Sequence, residues 1–154
     1  MQQKGNFAAL KIVHMALLAG QVLFIAVLFF MHYTKKLQPA LTELDKPLQI
    51  VAVLLAATAV LLGANLFKKR LLALRDDNSM SVKEKFDKYR AACIMQWGMM
   101  EGACLFCCIA FFLARNYSFL ALAGALVILF AMLIPVKAKT AIQLGLSTAD
   151  MEEL

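Results

Sequence analysis

Acidic residues are scarce where this chain is most apolar. No Asp or Glu precedes Glu43, and Glu101 is the one acid between Arg90 and Arg115. No second carboxylate stands at the depth of Glu101, so paired acid/base hydrolysis has no residues to use. Histidine is nearly as sparse: His14 and His32 are separated by about 27 Å of helical rise and cannot share a metal or clamp a haem. The four cysteines, Cys93, Cys104, Cys107 and Cys108, all lie in or beside one apolar run. They are expected to be reduced, buried and packed, because a zinc or redox site would need a second cysteine pair or a histidine cluster. With no glycine-rich phosphate loop and no nucleophile triad, an enzyme is not expected, and no cofactor is implied.

What the chain has instead is apolar length. Of its 154 residues, 62% are hydrophobic, which excludes an ordinary soluble domain and indicates a polytopic all-α membrane protein. We expect one four-helix domain over 1–154, with spans at about 8–31, 48–67, 91–114 and 119–136, each near the ~20 residues that cross ~30 Å of hydrocarbon. The first run is too long for a cleavable signal and reads as an uncleaved span. The net charge of +6 does not point to nucleic acid, since the basic residues flank apolar runs. They divide twelve to four: the N-terminal segment, the 68–90 loop and the 137–154 tail carry twelve, and Lys35, Lys36, Lys46 and Arg115 lie opposite. The positive-inside rule then puts both termini and the central loop in the cytoplasm, for a multi-pass protein of the cytoplasmic (inner) membrane.

Local signals set the punctuation. Pro39 can open a short surface helix, and DDNS ends the helix that continues past Lys68, Lys69 and Arg70. Ser81 with Glu84 forms a capping box, supported by the pairs Lys83–Asp87 and Glu84–Lys88. Gly145 is a C-cap, and Ser147 with Asp150 can start a short acidic helix in the tail. Topology alone accounts for the basic central loop; anionic headgroups or a cytoplasmic partner are the alternatives.

A shift of 82 positions lays His14–Met31 on Gln96–Leu113, matching Gly20 to Gly102, Leu23 to Leu105, Phe24 to Phe106 and Phe29-Phe30 to Phe111-Phe112. This suggests an internal duplication, with two antiparallel hairpins as parallel repeats. Ala16 and Gly20 fall on Gly98 and Gly102, a small-xxx-small seam in each odd span, and Ala52, Ala56, Ala59 and Gly63 form another in the second span.

The repeat sets Glu101 opposite Ala19, so the hairpin plan itself does not call for the acid. Near the bilayer midplane a carboxylate must be protonated, paired or hydrogen-bonded. Gln21 is at the same depth, Thr58 lies midway along the second span, and His14 and Gln96 lead towards the cytoplasm. Together these residues read as a proton- or cation-binding site in a transport or energy-coupling complex. Two other readings stand. In one, the chain is a structural or assembly subunit in which Glu101 serves packing and Ala16, Gly20, Gly98 and Gly102 bind partner helices; in the other, it is a small-solute transporter. Either way the expected partners are the lipid bilayer and further copies or other membrane subunits.

MEGACLFCCIAFFLA resembles the carboxylate helix of rotary ATPase proteolipid subunits over fifteen residues. That resemblance implies a proton- or sodium-binding ring subunit. The chain departs from that pattern in lacking the glycine-repeat inner helix and in carrying Glu101 on the first helix of its hairpin. Small multidrug transporters also look like four short spans with one membrane Glu.

Overall fold

The computed structural model describes residues 6–34, 42–77 and 79–147. Among these, the element order is α1 (Asn6–Tyr33), a 3-10 turn (Thr42–Leu44), α2 (Asp45–Asp76), α3 (Val82–Ala114), α4 (Tyr117–Ala131) and α5 (Lys137–Leu144), with no strand. Three helices, α1, α2 and α3, are long and apolar enough to cross a membrane. Their outward faces carry large apolar side chains, including Ile12, Leu23, Phe30, Leu54, Leu61 and Ile109. A helix apolar on all sides suits a lipid surround, since a water-facing surface of this kind would be one continuous sticky patch.

The third helix is central. It packs along α2 and α4 and, less extensively, along α1, while α1 and α2 make no extended contact with each other. The α3–α4 pair is the antiparallel hairpin expected from its short link. The first two helices, by contrast, do not pack as a second hairpin but lie on opposite flanks of α3 and α4. Each has its own reason to choose α3. The buried stripe of α2 is Ala52, Ala56, Ala59 and Gly63, small enough for close backbone approach. That of α1 is Phe7, Leu10, His14, Gln21 and Leu28, bulky side chains that fill the groove between α3 and α4.

The expected capping box is present: the Ser81 N–H donates to Glu84 Oε2 at 3.0 Å and the Glu84 N–H to Ser81 Oγ at 3.3 Å. Because the Glu84 carboxylate is turned back to Ser81, the ion pair formed here is Asp87–Arg90 at 3.8 Å. Of the two i,i+4 pairs expected from spacing neither closes to 4 Å, and Lys88 stays within electrostatic reach of Glu84. At the other end of the bundle, Arg115 closes α3 in a left-handed conformation with φ 56°. Asn116 then caps α4, accepting from the Ser118 N–H at 2.9 Å, and donates from Nδ2 to Asp45 Oδ2 at 2.9 Å. That bond ties the start of α2 to the α3–α4 link.

The fourth helix ends at Ala131, earlier than the hydropathy boundary at 136. Proline has no N–H to donate and pushes the residue before it out of the helical region, so the chain leaves the helix one turn ahead of Pro135. Gly145 caps α5 at φ +65°, with the Leu146 N–H reaching Ala141 O at 3.0 Å. The helix docks through Thr140, whose Oγ1 donates to Tyr89 Oη at 3.2 Å. The expected helices at Pro39 and in the acidic tail fall outside the described residues.

Candidate functional site

The site is built on the parallel pair α1 and α3. Phe7 meets Phe86, His14 meets Trp97 and His32 meets Phe111, an offset close to the repeat register. Interpolating along this pairing sets Gln21 level with the turn Met100–Cys104. Glu101 belongs to that turn. Trp97, Cys104 and Cys108, at i−4, i+3 and i+7 from it, are buried, while Gly98 and Leu105, at i−3 and i+4, are exposed. By helical periodicity Glu101 therefore lies on the border between the packed side of α3 and its outer face, and it is itself half-buried.

Gln21 is deeper. Its side chain is 3% exposed, and both Oε1 and Nε2 are buried with no hydrogen-bond partner. An unsatisfied buried polar group costs about 1–3 kcal/mol, so an amide with both ends unmet needs an explanation such as a bound ion or water.

His14, two turns before Gln21 on the same stripe, is fully buried. Its Nε2 is 3.0 Å from Phe130 O, its ring stacks on Phe130 at 4.6 Å between centroids, and Trp97 meets it edge-on at 4.9 Å. Bonding to a carbonyl makes Nε2 the donor. In the neutral ring Nδ1 is then an acceptor, and it is buried without a partner.

The remaining expected residues lie elsewhere. Gln96 adjoins Trp97 in sequence but is rotated about 100° around the helix, so it faces α2, where Gly63 sits 3.5 Å from its Cγ by the position a Cβ would take. Gln96 also borders a void of about 30 Å³ shared with Tyr89, Lys139 and Gln143, room for a water molecule. No direct hydrogen bond joins it to His14, whose Nε2 is held by Phe130 O. Thr58 is exposed on the side of α2 opposite the buried Ala56 and Ala59, away from the α1–α3 pair. Ala59 and Gly63 are buried in the α2–α3 seam. Ala16, Gly20, Gly98 and Gly102 are exposed among the described residues, and a Cβ on any of the three glycines would meet nothing within 4 Å.

All four cysteines are free and buried, and among the described residues no group of His, Cys, Asp and Glu could hold a metal. Spacing in the sequence could have revealed the His14 box, since Phe7, His14, Gln21 and Leu28 recur every seven residues. The contribution of Phe130 could not be read there, because it comes through a backbone carbonyl at the end of α4, one that also accepts from the Leu133 N–H at 2.9 Å. The chain matches no known protein family model, no curated protein and no solved structure.

Proposed function

We propose that this chain is a multi-pass protein of the cytoplasmic membrane in which Glu101 and Gln21 take up a proton or a small cation. The observation that carries the reading is the unpartnered Gln21 amide buried at the level of the span's one carboxylate. A carboxylate and an amide oxygen are hard donors suited to a hydrated or partly dehydrated cation, and a protonated Glu101 could instead donate to Gln21 Oε1. In this scheme His14 lies two turns nearer the cytoplasm, and Thr58 takes no part. Four crossings, an internal duplication and cytoplasmic termini belong to the same proposal. They are supported by the twelve-to-four charge bias, by the parallel α1–α3 pairing, and by α4, whose fifteen residues span about 22 Å before the turn at 132–133 and the short exit to Val136.

The test is carbodiimide labelling in lipid. Glu101 should label, protection should appear on adding sodium or raising pH, and Gln21→Leu should abolish the protection. Labelling no greater than that of Glu101→Gln under every condition would remove the reading.

A second reading is favoured by the open small residues on α1 and α3, which suit a partner helix in an assembly subunit. It expects Gly98→Leu to dissociate a cross-linked complex that Glu101→Gln leaves intact.

A further inference from the structure

Where α2 and α3 leave the apolar part of the bundle, they enclose a cleft of about 380 Å³, within the ~300–1,000 Å³ range of small-molecule sites. Arg70, Ala73 and Leu74 line it from α2, and Met80, Lys88 and Ala91 from the α3 side. The mixture is amphiphilic, with two cations among apolar side chains. Neither cation is held in an ion pair within 4 Å, where among the described residues the pair is Asp87–Arg90; Lys88 Nζ lies 3.4 Å from the Met80 thioether and within electrostatic reach of Asp77 and Glu84. Asp77 is the one acid on the wall; its Oδ1 accepts from the N–H and Oγ–H of Ser79, which leaves the phosphate to compete with this carboxylate for Lys88.

Depth decides between candidate ligands. The apolar run of α2 ends at Phe67, and that of α3 begins at Ala91. The cleft extends from that boundary over the stretch from Arg70 to Asp77, about 10 Å of rise, which matches the headgroup layer beside ~30 Å of hydrocarbon. We propose that the cleft binds the phosphate of an anionic phospholipid. Arg70 supplies a planar fork and Lys88 a point charge to the phosphate oxygens, while Ala73, Leu74 and Ala91 receive the glycerol and the first carbons of a chain. The site is separate from Glu101 and rests only on the chain being embedded in a bilayer.

The full-length protein in vesicles of phosphatidylcholine with spin-labelled phosphatidylglycerol tests this. The protein should immobilise the labelled lipid in preference to labelled phosphatidylcholine. The double variant Arg70→Gln/Lys88→Gln should weaken that preference about ten-fold or more. Lys69→Gln/Lys83→Gln, which removes the same charge away from the cleft, should keep it. Equal loss in both double variants, or no preference at all, would reduce the effect to general surface charge and overturn the proposal. Release of the lipid by millimolar inorganic phosphate would also overturn it, in favour of a soluble anion. Alkaline carbonate extraction of each variant separates a failed cleft from a chain that is not membrane-embedded.

Discussion

The two packed sides of α3 are made of different material. Towards α2 it presents Ala92, Gln96, Ala103 and Ala110 to the Ala52, Ala56, Ala59 and Gly63 stripe, and among the described residues no side-chain polar atom of those eight is left buried without a partner. Towards α1 and α4 it presents Trp97, Cys104, Cys108 and Phe111, and the facing stripe of α1 contains His14 and Gln21 with three unmet polar atoms between them. The first seam is cheap to close, because small side chains lose little rotamer freedom and bring backbones near. The second leaves polar groups unpaired in an apolar surround, and such groups accumulate where a function requires them. On this comparison α2–α3 is the scaffold, and under the proposed function α1–α3 is the working seam.

The largest effect should come from opening the scaffold. A Cβ at Gly63 would lie 3.5 Å from Gln96 Cγ, an ordinary contact, so Gly63→Ala should fold normally. Gly63→Leu adds three more carbons into that contact and should destabilise by about 1–3 kcal/mol. Gly20→Leu on the exposed face of α1 meets nothing within 4 Å and should be neutral, or better by up to ~0.8 kcal/mol through helix propensity. Denaturant melts in bicelles can be followed through Trp97, the single tryptophan. Equal melts for the two leucine variants would erase the distinction between the seams.

The next effect has the opposite sign. Gln21→Leu replaces an amide whose two polar atoms are unmet by a hydrocarbon of similar size. In cation-free buffer the variant should be more stable than the parent by about 1–3 kcal/mol, while losing sodium protection of Glu101. Sodium should then stabilise the parent and leave the variant unmoved. A variant less stable than the parent would mean that the amide is already satisfied in the membrane, and the working seam would become a second scaffold.

Much of this architecture was legible in the sequence because lipid imposes simple rules. Apolar length marked α1, α2 and α3, the Ser81–Glu84 box marked the start of α3, and the Ala52–Gly63 spacing marked the scaffold seam. Helix pairing was harder, since matching apolar letters at a shift of 82 indicate kinship between segments but not which faces touch. The match at a shift of 82 implies like hairpins and so a pairing of α1 with α2; the packing sets both against α3. Thr58 was an acceptable site residue by depth alone, and its rotation away from the core follows only once Ala52, Ala56, Ala59 and Gly63 are recognised as the buried face. For Glu101, depth could be read from sequence, but its place on the border of the packed side of α3 depends on where α1 lies.

The smallest effect tests whether the scaffold is held by its seam or by the turn that closes it. Hydrogen bonds from the Ser79 hydroxyl and N–H hold the Asp77 carboxyl below its ordinary value, near 3.9 for a free aspartate. A depressed carboxyl contributes its stability above the unfolded value and loses it as pH falls through the folded one. The 77–81 turn should therefore be intact at neutral pH and loosen only in acid, with the Ser79 amide resonance titrating at a midpoint below ~3.9 and not titrating in Asp77→Ala. Because Asp77 lies outside the apolar seam, this loosening should leave the Trp97 melt almost unchanged. An acid-induced loss of stability as large as that of Gly63→Leu would make the turn, and not the small-residue contact, what joins α2 to α3.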